Sequence, residues 1–144
     1  MKLENIYDLW SEDCVIDPTE LKTESLNTSK LHNKYMKIYS SERLMLLKME
    51  SEMKVLKKEK FIFYVEGPSK ESQEKGWIVP AKGMILKTEI PMYLEADNDI
   101  IAMSLRIGYQ KEKVDTVESI LKNLQNRGFA IKNAIEWHKF NNGG

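Results

Sequence analysis

The residues best suited to act on a ligand lie in one run: Lys54-Val55-Leu56-Lys57-Lys58-Glu59-Lys60-Phe61-Ile62-Phe63-Tyr64. Lysines interleaved with aromatics supply what a single nucleic-acid strand requires, cations for its phosphates and ring faces for its unstacked bases. At about 100° per residue, Arg43, Lys54 and Lys57 share one helix face, with Lys58 at its border. Leu46, Met49, Met53, Leu56 and Phe63 share the opposite face. The face of Lys54, Lys57 and Lys58 is therefore a candidate strand-binding surface, with a merely solvated lysine face as the alternative.

Catalytic and metal chemistry finds no comparable support. No Gly-rich loop followed by Lys-Ser/Thr is present, so nothing is shaped to cradle a nucleotide's phosphates. His32 and His138 are the only histidines and belong to no zinc-ligand spacing. Asp97 and Asp99 could hold a divalent cation in a small nuclease, but they read better as helix-capping residues, because no further carboxylates stand at a matching spacing. Cys14 sits beside Asp13, which disfavours the thiolate. The expectation is a protein without enzymatic activity and without a cofactor or metal.

Composition narrows the class further. The 144 residues suit one domain with a modest core. Gly and Pro are scarce, at 7 and 4, while Lys, Glu, Leu, Ile and Met are common, which favours helix. No apolar run approaches the ~20 residues that span a bilayer. Neither a signal peptide nor a cysteine pair is visible, which points to a reducing cytoplasm and away from a membrane. The net charge is zero but polarised. Residues 1–20 set Lys2 against Glu4, Asp8, Glu12, Asp13, Asp17 and Glu20, whereas residues 43–60 carry Arg43 and five lysines against three glutamates. Residues 1–16 are expected to be a flexible acidic arm that meets a partner or competes with DNA for the basic run.

The elements that must position the basic run follow from capping and periodicity. Asp17-Pro18-Thr19-Glu20 opens a helical region over 17–66 that contains no Gly or Pro between Pro18 and residue 67. Tyr39-Ser40-Ser41 is the best candidate for a break in it. Residues 67–95 read as a mobile polar loop followed by possible short β-strands between Trp77 and Leu94. Ala96-Asp97-Asn98-Asp99 then caps a second helical region, 96–140.

That region carries the most regular pattern in the chain. Ile100, Met103, Ile107, Gln110, Val114, Val117, Leu121, Leu124, Gly128, Ile131, Ile135 and His138 follow one another in alternating steps of three and four, and all but Gln110, Gly128 and His138 are apolar. Such a heptad specifies a helix-on-helix seam, either within one chain or between copies. Tyr109, Ile120, Phe129, Ala130 and Trp137 add apolar surface off the stripe, which favours self-association. Val114, Val117, Leu121, Leu124, Gly128, Ile131 and Ile135 are the expected oligomer seam, with Gly128 where two helices approach closely.

Four strings occur in one order: Ile16-Asp17-Pro18-Thr19-Glu20-Leu21, the 54–64 run, Ala96-Asp97-Asn98-Asp99 and Arg127-Gly128-Phe129-Ala130-Ile131-Lys132. In this the chain resembles the UvsY family of recombination mediators from T-even-type bacteriophages, over residues 13–66 and 85–140. The resemblance implies a ring-shaped homo-oligomer, hexameric or heptameric, that binds single-stranded DNA without sequence preference in the infected host's cytoplasm. It also implies two protein partners, a phage RecA-like recombinase and the phage single-strand-binding protein that coats the strand before loading. Lys58 and Lys60 match the family's basic pair, Phe61 its aliphatic position and Tyr64 its second tyrosine, so the resemblance extends the expected strand-binding set to Lys54, Lys57, Lys58, Lys60, Phe61 and Tyr64. Glu59 replaces a small neutral residue and Phe63 the first tyrosine. The expected fold is thus mostly α, with long amphipathic helices; a non-catalytic coiled-coil assembly protein of a phage is the alternative.

Overall fold

The computed structural model describes residues 1–80, 83 and 85–143. The described residues form five α-helices: α1 (Leu3–Asp13), α2 (Leu21–Glu66), α3 (Lys70–Glu74), α4 (Ile90–Glu95) and α5 (Asn98–Asn141). A 3-10 turn, Lys87–Glu89, leads into α4. No strand occurs among the described residues, so the short β-strands expected between Trp77 and Leu94 are replaced by this turn and α4. Pro91 falls in the first turn of α4, where its missing N–H costs nothing.

Helix α2 runs 46 residues without the break expected at Tyr39-Ser40-Ser41. Serine costs only about half a kcal/mol in a helix. Tyr35, Ile38, Tyr39 and Glu42 around these serines are buried or half-buried, and that burial outweighs the cost. At the amino end of α2, Asp17 Oδ1 accepts from the Thr19 N–H at 2.9 Å and the Thr19 hydroxyl at 2.7 Å. This closes a turn around Pro18, and the helix begins only at Leu21. Asp97 caps α5 as its sequence suggests, accepting from the N–H groups of Asp99 and Ile100 at 3.0 Å each.

The polar stretch after α2 is ordered into a helix instead of a mobile loop. Gly67 ends α2 with φ +87°, and its N–H reaches the Phe63 carbonyl. Ser69 and Ser72 then form a reciprocal capping box that starts α3. This satisfies donors that a loop would leave to water.

The chain divides into two compact units, one of residues 1–45 and 110–144 and the other of residues 46–109. In the first, Ile6 of α1, Leu31 and Tyr35 of α2, and Val117, Ile120 and Leu124 of α5 form one buried cluster. Helix α1 is therefore not a flexible acidic arm. Ile6 is fully buried, and Trp10 meets the Tyr35 ring edge-to-face at 5.5 Å. Asp13 accepts from the Tyr35 hydroxyl at 2.8 Å and from Lys34 at 2.6 Å. Alternation of Leu3, Ile6 and Trp10 with Glu4, Asp8 and Glu12 is an amphipathic helix pattern, which the acidic count of the segment obscures.

The heptad stripe likewise finds its partners inside the chain. Val114, Val117, Leu124 and Ile131 are buried, and Leu121 packs on their cluster. Val117, Leu121 and Leu124 of the seam expected between subunits thus pack on α1 and α2 of the same chain, whereas Gly128 is exposed and Ile135 half-buried. Gln110, a polar member of the stripe, is buried too and donates to the backbone carbonyl and the carboxylate of Glu42. Lys113 completes this group with an ion pair to Glu42 at 3.0 Å.

Within the single chain Gly128 meets no close helix. It is exposed, and a Cβ built there meets nothing within 4 Å. Gly128→Ala should therefore stabilise the chain by about 0.5–1 kcal/mol through helix propensity alone. Urea denaturation checks this, and a loss of stability would place a second chain against that position.

The second unit is smaller. Met49 and Met53 of α2 pack on Ile100 and Met103 of α5, with Leu56, Leu94 and Ile107 at the edges.

Candidate nucleic-acid interface

In the second unit, helix periodicity sorts the basic run into two faces. Met49, Met53 and Phe63 are buried, while Lys54, Lys57 and Lys58 are exposed on the opposite side with Phe61, half of whose surface is accessible. Among the described residues none of these three lysines forms an ion pair. The exposed part of the run is therefore three cations and one aromatic ring on a single helix face. That arrangement can bind phosphates and stack a base.

Lys60 and Tyr64 are not part of it. Lys60 is only 3% exposed, and its ammonium lies 3.1 Å from Asp97 and 2.7 Å from Asp99. The same ammonium sits 3.9 Å above the Trp77 ring, where the ring's quadrupole adds to the attraction. Tyr64 donates its hydroxyl to Asp97 at 2.6 Å and faces Tyr93 at 5.7 Å between ring centres. Both residues, expected as strand contacts, instead hold α2 to the start of α5. The signal was available in spacing: Lys60 follows Met53 by seven residues, follows Leu56 by four and precedes Phe63 by three, which puts it on the apolar face. The carboxylates that receive it lie far away in sequence and could not be paired with it beforehand.

Glu59, which would weaken the field of the lysines, is itself neutralised by Lys75 at 3.0 Å, and Lys75 also lies 5.0 Å from the Trp77 ring. Asp97 and Asp99, weighed as ligands for a cation, are engaged by Lys60, Tyr64 and the helix cap. No cluster of potential metal ligands occurs among the described residues.

These contacts set carboxyl ionisation. Burial alone raises the Asp97 carboxyl, but the Tyr64 hydroxyl, the Ile100 N–H and Lys60 outweigh it and hold it below its ordinary value of 3.8. Glu42 is likewise pushed up by burial and pulled further down by Gln110 and Lys113. Asp13 follows the same pattern with Lys34 and Tyr35. Groups whose pKa is depressed on folding stabilise the native state above their unfolded values, and that stability is lost as pH falls through the folded ones. The urea midpoint should therefore hold steady down to about pH 5 and drop steeply below about pH 4. A midpoint unchanged at pH 3 would contradict these assignments.

A family model described as "Recombination, repair and ssDNA binding protein UvsY" matches residues 9–144. The chain belongs to the UvsY family. The recombination protein UvsY of Enterobacteria phage T4 is 27% identical over 144 residues, covering 99% of each chain. Crystal structures of the T4 recombination mediator protein UvsY share the fold. One superposes with a TM-score of 0.85 at 26% identity, covering 98% of both chains. Another does so at 0.79 and 25%, covering 98% of this chain and 99% of that one.

The string that most marks the family resemblance, Arg127 to Lys132, proves to be structural at its first residue. Arg127 is buried; its Nη1 donates to the carbonyls of Asp13 and Cys14 at 3.1 and 3.3 Å, and its Nη2 pairs with Glu24. A cation placed on the last carbonyls of α1 satisfies acceptors that the helix leaves open. Of the basic pair carried by the resemblance, Lys58 faces solvent and Lys60 does not. No helix among the described residues is long and apolar enough to cross a membrane.

Proposed function

We propose that this chain is a non-enzymatic recombination mediator that binds single-stranded DNA through the Lys54, Lys57, Lys58 and Phe61 face of α2. It acts as a homo-oligomer in the cytoplasm of the infected host. There it helps a phage RecA-like recombinase load onto strands coated by the phage single-strand-binding protein. Membership of a family of recombination mediators supports the role, and the three unpaired lysines beside an exposed ring carry the choice of surface.

Three lysines on one chain bind weakly, but a hexameric or heptameric ring would repeat them around an axis, and many modest contacts then hold a long strand. Packing of Val117, Leu121 and Leu124 within the chain favours a subunit contact through apolar residues left outside. Phe129, Trp137 and Phe140 in the first unit are about two-thirds or more exposed, and Val55 and Ile62 are prominent in the second. Side chains of this size rarely cluster in solvent without a partner.

Lys54→Ala, Lys57→Ala and Lys58→Ala combined should weaken binding to oligo-dT by about 10-fold or more at moderate salt. The log–log salt slope should shrink by about 0.7 for each phosphate that is no longer neutralised. Helix content and oligomer mass should not change, since all three residues are exposed. Unaltered binding by the triple variant would reject this face.

A further inference from the structure

A second surface, in the unit of residues 1–45 and 110–144, has the opposite chemistry. A groove of about 400 Å³ runs between α1 and α5. Tyr7 and Trp10 form its α1 wall, and Glu112, Asp115, Thr116 and Ser119 are on the α5 side. Tyr7 is 48% exposed. No lysine or arginine lines the groove.

Three carboxylates of this unit hold cations: Asp13 has Lys34, Glu24 has Arg127 and Glu42 has Lys113. Glu112 and Asp115 take part in no ion pair among the described residues, and neither do Glu4 and Asp8, which flank Tyr7 on α1. An aromatic face beside unpaired carboxylates attracts a guanidinium or ammonium group twice, through the ring quadrupole and through charge. Thr116 and Ser119 add hydroxyls that can accept from the remaining N–H groups of a guanidinium. The same charges repel a phosphate backbone, so this groove does not extend the DNA face.

We propose that the α1–α5 groove is a docking site for an arginine- or lysine-bearing segment of a partner protein, with the cation seated between Tyr7, Trp10 and the Glu112 and Asp115 carboxylates. Charge complementarity selects the occupant: the groove offers negative charge, ring faces and acceptors and has no cation of its own. The site is chemically separate from the lysine face of α2.

The test uses the full chain with ¹⁵N-labelled tryptophan and an acetylated tetra-arginine peptide as probe. The Trp10 indole resonance should shift saturably with peptide. The affinity should fall about 10-fold in Glu112→Gln/Asp115→Asn, the loss expected for removing two charge contacts of this kind. The control Glu50→Gln/Glu52→Gln removes the same charge from exposed sites on α2 and should leave the affinity unchanged. Binding of oligo-dT should be unaltered in the Glu112→Gln/Asp115→Asn variant. Absence of a saturable shift overturns the proposal, as does an equal loss in the control, which would mean diffuse electrostatics. If the Glu112→Gln/Asp115→Asn variant loses oligomer mass and the peptide leaves the Trp10 resonance unmoved, the groove receives a second copy of the chain and the proposal also fails.

Discussion

Lys60→Ala should destabilise the protein by about 3–5 kcal/mol, while Lys58→Ala, two residues away, should change stability by no more than about 0.5 kcal/mol. The difference comes from what each deletion leaves behind. Lys60 and Asp97 are each 4% exposed at the side chain, so removing the ammonium strands a carboxylate that water cannot reach. Tyr64 and the α5 N–H groups still bind that carboxylate, but they are neutral donors and cannot replace a cation. Trp77 also loses the charge above its ring, so its fluorescence should follow the transition. Urea denaturation of the two single variants, paired with oligo-dT titration, separates the roles. Lys58→Ala should lose affinity and keep stability; Lys60→Ala should do the reverse at temperatures where it remains folded. A stable Lys60→Ala variant with impaired binding would return Lys60 to the strand-binding face.

Leu124→Asp should abolish the fold of the unit that holds it, not merely separate subunits. Leu124 is 1% exposed and packs in the cluster of Ile6, Tyr35 and Val117. An aspartate there forfeits the apolar burial of a leucine, worth about 2 kcal/mol, and adds an uncompensated buried charge costing several more. Against a total stability of roughly 5–15 kcal/mol, that sum is disabling. Circular dichroism should show a large loss of helix. Trp137→Asp with Phe140→Asp offers the contrast, since both rings are well exposed and stack on each other at 5.9 Å. That variant should keep its helix content and lose oligomer mass. If Leu124→Asp instead gave a folded monomer, the heptad stripe would be an intersubunit seam after all.

The helical class, the cap at Asp97, the absence of a break-forming Gly or Pro in α2 and the cationic face of Lys54, Lys57 and Lys58 were all legible in the sequence. Each depends on neighbours within a turn or two, and local chemistry is what a sequence displays. The family was legible too, because the order of strings such as Arg127-Gly128-Phe129-Ala130-Ile131-Lys132 is read without knowing the contacts they make. What only the tertiary structure decided was which partner each face meets. A heptad states that α5 needs a helix beside it but not whose, and here Val117, Leu121 and Leu124 pack on α1 and α2 of the same chain. An acidic count marked residues 1–16 as an arm, although one side of that segment is apolar and buries Ile6 completely. Lys60 reads as a free cation until the fold brings Asp97 and Asp99 from 37 and 39 residues further along the chain to meet it. Charge in a sequence has no depth. Only packing determines whether a lysine meets water, a phosphate or a buried carboxylate, because the cost of desolvating it is set by everything that folds around it.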